Sequence, residues 1–378
     1  MTSLERHEAR YQRRRAARLE RERERAALCG GYEEIFSYGN LYDGGEKCCN
    51  GTRWKPSTQR YEATLPTSTE KTHAELMAGK YRGRGFVEFG LMERGHYRWI
   101  KSVHITERAV QKVMNDKVLR PLFGPSLIYD NGACQKGKGT DFQLDRLEAK
   151  LHRHFRLHGR KGGILLWDFS GYFDSIPHAV LVPAARRKII EARTCALYEQ
   201  FINAFGEVGL GLGSEVSQIS AVFVANPIDH YFKDGLGVEG YGRYMDDGHI
   251  ISESMDFLKK CLVKLREIAG KIGLKINEKK TKIVPLTHQF KFLKMRFRLT
   301  ETGAVVRRLA RENINKRRRI LRKFRALLDA GKMTLASVVE SYTAWKGHAA
   351  RARSYRTVEA MDELFCNLFG KEALPLCA

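Results

Sequence analysis

No apolar run in this chain approaches the length of a membrane span, and its charged amino terminus carries no apolar leader core. Both absences lead us to expect a cytoplasmic protein without a membrane partner. The 8 cysteines contain no Cys-x-x-Cys pair, and Cys48-Cys49, the only close pair, are neighbours in sequence, which rarely bridge. A zinc site or a disulfide framework is therefore not the organising device, and a reducing compartment fits. No internal repeat is present. The loop Gln135-Lys-Gly-Lys-Gly-Thr140 lacks the spacing of a phosphate-binding P-loop, so it is read as a flexible basic loop and not as an ATP site. What the chain lacks most is negative charge: 43 Asp and Glu stand against 67 Lys and Arg, a formal net charge of +24. Such an excess implies a polyanionic partner bound in a salt-sensitive way. With 378 residues, 43% of them hydrophobic, the chain is long enough to bury a large core and form two or three lobes.

The acids that are present fall in informative places. Tyr244-Met245-Asp246-Asp247 sets two adjacent carboxylates between two strand-forming runs, and the following Gly248 predicts a β-hairpin with the acids at its tip. Two carboxylates on a tight turn repel unless a cation neutralises them, which points to a divalent metal. A solvated Asp-Gly turn is the alternative reading of the tetrapeptide alone. A second acid sits where the buried-strand pattern Ile164–Trp167 ends, at Asp168. A carboxylate there costs desolvation energy unless paired or metal-bound. A helix cap near Pro177 is its other reading, a task that Asp174 or Ser175 suits better. One strand-end Asp plus a hairpin pair can hold two Mg²⁺ ions, the arrangement that clamps attacking and leaving oxygens in phosphoryl displacement.

These residues belong to an ordered series: Asp168-Phe-Ser-Gly-Tyr-Phe173-Asp174-Ser-Ile, Gly213-Ser-Glu-Val-Ser217-Gln218, Tyr244–Asp247, Gly273-Leu-Lys-Ile-Asn-Glu-Lys-Lys280-Thr281 and Phe290-Lys-Phe-Leu-Lys294-Met-Arg-Phe297. The series resembles motifs A to E of the reverse transcriptase palm, in order, within a resemblance that spans roughly residues 52–365. It implies an α+β right-hand polymerase. A basic extension and linker over 1–55 lead to fingers over 56–161. A ferredoxin-like palm over 162–300 follows, its antiparallel sheet carrying helices on one face, then a helical thumb over 301–378. The implied activity is RNA-directed DNA synthesis, with template RNA, the RNA–DNA duplex and dNTPs as partners. Two Mg²⁺ ions, with Mn²⁺ as a substitute, would be held at Asp168, Phe169, Asp246 and Asp247. The resemblance places Arg98 and Lys101, with Arg108, toward the incoming triphosphate, and Phe173 as a steric gate against a ribose 2′-hydroxyl. Gly213, Ser217 and Gln218 would lie against the templating base pair. Tyr244, Met245 and Lys294 would meet template or primer, and Lys280, with Lys279 as alternative, would position or protonate pyrophosphate.

Within bacterial members, Ser217-Gln218 resembles the motif B of diversity-generating retroelement enzymes, which copy RNA with errors at adenine and use a small basic accessory protein. Ser341-Tyr-Thr-Ala-Trp345-Lys-Gly347-His348-Ala349 with Ser354-Tyr355 resembles that group's thumb, and Arg53-Trp-Lys-Pro56 and Ala78-Gly-Lys-Tyr81 its fingers. Two departures stand out: Ala221-Val222 lacks the group's Asn, and Lys294 occupies a common Gly position. Antiphage enzymes that use a structured non-coding RNA share parts of these signatures and form the alternative.

The remaining segments are read from pattern. Residues 1–28, with 9 Arg in the first 25, predict a mostly solvated helix, either a solubilising arm or an RNA- or partner-binding one. Residues 29–60, rich in Gly and Cys, are expected to be a linker. Gly95–Lys101 predicts a strand pair and Thr106 the start of a helix. Between Arg307 and Arg325, 10 basic residues and 1 acid interleave with Leu309, Ile314, Leu321 and Phe324 at helical spacing. Arg317 and Arg318 are therefore expected to face a duplex, with Trp345 and His348 as packing residues. A catalytically dead scaffold would not need three clustered carboxylates. An RNA-dependent RNA polymerase is disfavoured by Phe173 and Tyr-Met-Asp-Asp.

Overall fold

The structure, a computed structural model, describes residues 3–93 and 96–374. It divides into two compact units, each assembled from three separate stretches of chain: 1–137, 169–237 and 264–277 in one, 138–168, 238–263 and 278–378 in the other. The mixed helix-and-sheet composition and antiparallel sheets agree with the fold class expected from the sequence. Among the described residues no helix is long and apolar enough to cross a membrane.

Among the described residues the strands of the first unit are β1 (Phe86–Glu93) and β2 (His96–Val103), paired antiparallel with Phe89 opposite Ile100 and set among helices. Its amino terminus is the expected helix, Ser3–Leu28. Residues 29–60 differ from the linker reading: they fold into helices Tyr32–Ile35 and Tyr38–Cys49 and the start of Pro56–Ala63. The glycines that suggested flexibility serve close packing. A Cβ on Gly44 would lie 3.0 Å from the Ala109 carbonyl oxygen, and one on Gly45 would lie 2.5 Å from Leu65. Helix Glu215–Val224 is mostly apolar and buried from Ile219 to Val224, with Glu215 and Gln218 at its start reaching outward. It packs through Phe223, stacked on Phe123 at 4.1 Å, and through Ser220, hydrogen-bonded to Tyr198 at 2.9 Å.

The second unit is built on two antiparallel sheets. Strands β3 (Gly163–Trp167), β4 (Gly242–Tyr244), β5 (Asp247–Ser252) and β6 (Lys282–Pro285) form one, in the order β4-β5-β3-β6. Strands β7 (Phe290–Phe292), β8 (Met295–Leu299) and β9 (Val305–Leu309) form the other. Period-2 alternation sends Ile164, Leu166 and Ile251 to one face, where they join Leu144, Leu147 and Leu151 of helix Thr140–His158 and Phe290, Phe297 and Leu299. A separate cluster of Leu321, Val338, Tyr342, Met361 and Phe365 ties together helices Arg311–Asp329, Leu335–Ala350 and Tyr355–Phe369. The basic helix therefore begins at Arg311; Arg307 and Leu309, expected within its pattern, lie on the buried face of strand β9 instead.

Candidate active site

Strand order brings the three acids into one unit. Asp168 follows central β3, and its neighbour β5 opens with Asp247, so chain ends at one edge of the sheet carry both. Trp167 pairs with Gly248, one residue before Asp168 and one after Asp247. The hairpin loop is Met245-Asp246, closed by the pair Tyr244 and Asp247. Met245 takes a positive φ of 54° while Asp246 does not, the requirement of a type II′ turn. Gly248 thus lies within β5 and not in the turn. Its missing Cβ is required because the Trp167 indole lies across it.

The electrostatics show the cost of setting these acids together. Asp168 is buried and bonded to Lys280, whose Nζ donates to Oδ2 at 2.6 Å. Burial, then repulsion from Asp246 and Asp168, pushes Asp247 up to about 7, against the pull of Lys280 and Lys294. Burial likewise raises Asp246, with Asp168 adding to it. The hydrogen bond to Asp168 raises Lys280 in turn. Three hard-oxygen donors within mutual Coulomb reach are a fit for Mg²⁺ or Mn²⁺. They do not yet converge: among the described residues no three His, Cys, Asp or Glu side chains gather as a metal-holding group, and Asp168 is turned to Lys280.

Two supporting residues carried no role in the sequence reading. Arg243 is fully buried, and its Nη1 donates to the Met245 carbonyl at 2.8 Å, bracing the loop. Lys150 Nζ donates to the Tyr241 carbonyl at 2.7 Å. For Arg243 the available signal was a charged residue inside a strand pattern; Lys150, one of many charges on helix Thr140–His158, carried none. Tyr244 is half-buried, its hydroxyl accepting from Thr140 at 3.3 Å. Lys294 occupies a two-residue loop between β7 and β8 with Leu293, at φ 67° and 45°. Both positive values explain why glycine is common there.

Arg317 corrects an expectation. It points into the core, with Nη1 donating to Ser341 at 3.2 Å and its guanidinium 5.5 Å from the Tyr342 ring. Burial lowers it to about 10. Packing thus replaces the expected duplex contact, whereas Arg318 lines an open cavity of about 310 Å³ with Arg311 and Arg356.

The other expected residues lie in the first unit. Phe169 is buried and stacked on Tyr172 at 5.2 Å, and Phe173 is half-buried edge-on to Tyr172. Ser214 caps helix Glu215–Val224 by accepting from the Ser217 amide at 3.1 Å, which leaves Ser217 buried and Gln218 exposed. Gln218 and Gly213 open on a cavity of about 310 Å³ shared with Arg108 and Arg120. A Cβ on Gly213 would stand 3.5 Å from the Lys101 carbonyl oxygen, so motif B and strand β2 meet there. The Lys101 ammonium itself is 3.9 Å from Glu88. Arg98 lies in β2 opposite Leu91, but its side chain is outside the described residues.

A family model described as reverse transcriptase (RNA-dependent DNA polymerase) matches residues 88–297. No curated protein matches the chain. Among solved structures, apo telomerase from Candida tropicalis, truncated of its C-terminal domain, is similar at 12% identity over 58% of this chain and 54% of that one, with a TM-score of 0.45. Telomerase from Candida albicans in complex with a TWJ fragment of telomeric RNA is similar at 10% identity over 82% of this chain and 63% of that one, also with a TM-score of 0.45. The chain spans less than two thirds of the length of either.

Proposed function

The chain belongs to the reverse transcriptase (RNA-dependent DNA polymerase) family, a family of nucleotidyltransferases, and on that premise we propose that it copies an RNA template into DNA at Asp168, Asp246 and Asp247. The observation that carries the reading is the juxtaposition of a buried Asp168 with half-buried Asp246 and Asp247, whose carboxyls burial and repulsion push up, Asp247 to about 7, in a hairpin braced by Arg243. Such a cluster is costly for a structural role and suited to divalent metal. Asp168, Asp246 and Asp247, with Phe169 adjoining, would hold two Mg²⁺ ions, or Mn²⁺ in their place. When bound, such ions supply charge neutralisation at the attacking and leaving oxygens.

The chain's own residues supply the rest. Lys280 offers a proton and a positive charge to the departing pyrophosphate, from a position fixed by its hydrogen bond to Asp168. Phe173 excludes nucleotides bearing a 2′-hydroxyl. Gln218 presents a donor and an acceptor to the templating pair, with Gly213 and Ser217 shaping the backbone approach. Arg98, Lys101 and Arg108 face the triphosphate, while Tyr244, Met245 and Lys294 hold the primer end. In these terms residues 56–161 act as fingers, 162–300 as palm and 301–378 as thumb, after an extension over 1–55.

Ser217-Gln218 and the thumb signature support a diversity-generating role, with adenine-directed errors and a small basic accessory protein. Flanking DNA holding a repeat pair that differs mainly at adenines would support it, whereas a neighbouring structured RNA gene without repeats would favour antiphage defence. The activity is tested by primer extension on RNA with dNTPs or NTPs. We expect dNTP-only synthesis in the parent chain and ribonucleotide incorporation raised by about tenfold or more in Phe173→Val, a loss of roughly 1.4 kcal/mol of discrimination. Preferential NTP use by the parent chain would overturn the DNA-polymerase reading.

A further inference from the structure

We propose that the amino-terminal helix and the surface on which it docks form a binding site for a single-stranded nucleic acid, held by its phosphodiester backbone. The site lies wholly in the first unit and needs none of the carboxylates of the candidate active site. A helix with alternating Arg and Glu, left to itself, would be solvated all round. This one is tied down. Glu22 accepts from Lys188 Nζ at 2.6 Å, and both side chains are shielded, 25% and 18% exposed. Between the helix and the body lies a cavity of about 490 Å³, walled by Arg18, Arg21 and Arg25 on one side and by Lys188, Ser126 and His230 on the other.

The three arginines recur at intervals of three and four, so they stack along one helix face over ~10 Å. The two acids that line the cavity are already engaged: Glu22 with Lys188, and Asp234 with His230 at 2.6 Å. Some exposed arginines of the unit are paired, as Arg186 is with Glu199 and Arg53 with Glu62. Among the described residues, Arg18, Arg21 and Arg25 have no carboxylate partner. Unneutralised guanidiniums facing a common cavity are mutually repulsive until an anion arrives, and their planar forks match phosphate. Cations one helical turn apart suit a polymer with a charge on every unit. An acidic protein segment, the other polyanion, lacks that regular charge spacing.

The test is fluorescence anisotropy of labelled RNA and DNA strands of about 12 nucleotides with the full chain, across a salt titration. Replacing Arg18, Arg21 and Arg25 together with Ala preserves helix propensity. It should weaken binding at least about tenfold at low salt and flatten the log–log salt slope by about 2, at ~0.7 per phosphate lost. The corresponding triple Lys variant should restore the slope. Glu22→Ala is the sharper arm: it adds net positive charge, yet by undocking the helix it should weaken binding about threefold. A preference for RNA or for DNA identifies the strand, and either supports the site. Unchanged affinity and slope in the triple Ala variant overturn it, as does tighter binding by Glu22→Ala, the behaviour of a loose charged tail. Equal competition by tripolyphosphate at matched phosphate concentration, or displacement by a poly-glutamate peptide better than by either strand, also overturns it.

Discussion

At the scale of single residues, glycine and its replacement mark the constraints around the acids. Gly248 reads in sequence as the end of an Asp-Gly turn, and that reading is reasonable because the cross-strand neighbour is invisible until β3 and β5 pair. The structure sets the Trp167 indole over it. Gly248→Ala is therefore expected to cost about 1–3 kcal/mol by overpacking, seen as a lowered urea midpoint at unchanged m-value. A midpoint equal to that of the parent chain would show that the indole has room to move. Lys294 presents the opposite case. Its φ of 67° belongs to glycine's region, so Lys294→Gly should raise stability by about 1 kcal/mol. Because the same change removes a cation from beside Asp247, where the primer end is proposed to lie, it should also weaken primer–template affinity. Stability and affinity moving in the same direction would contradict this. Arg317 and Arg318 show why charge runs resist reading from sequence: at helical spacing both satisfy the pattern, and only tertiary packing decides which one turns inward.

At the scale of elements, the sequence was most legible where period and punctuation agree. The apolar run ending in Asp168 became β3, the flanks of the acid pair became β4 and β5, and the motif B segment became a capped, buried helix. It was least legible where glycine serves packing, as at Gly44 and Gly45, because flexibility and close approach leave the same trace. The cap on helix Glu215–Val224 makes its own prediction. Ser214 is buried and accepts the Ser217 amide at 3.1 Å, so Ser214→Ala should cost about 1 kcal/mol. The helix start carries Ser217 and Gln218, so KM for primer–template should rise while helix content by circular dichroism stays constant. A thermal midpoint matching that of the parent chain would remove the cap from the account.

At the scale of the molecule, the ordered motifs carried the reading, because Asp168 and Asp246-Asp247 only become one site when a sheet pairs distant stretches of chain. The order in which they occur is legible; the interleaving of two units from six stretches is not, since no local pattern encodes it. The net charge of +24 belongs to this scale too, and implies salt-sensitive substrate binding throughout. The central claim is that Asp246 and Asp247, with Asp168, perform RNA-templated DNA synthesis. Its most direct test is extension of a DNA primer on an RNA template with dNTPs and Mg²⁺, comparing the parent chain with Asp246→Ala/Asp247→Ala. The account predicts synthesis by the parent, and in the variant a loss of at least about 10³-fold, on the order of 4 kcal/mol, with folding and RNA binding retained. Extension by the double variant at a rate near that of the parent would contradict it.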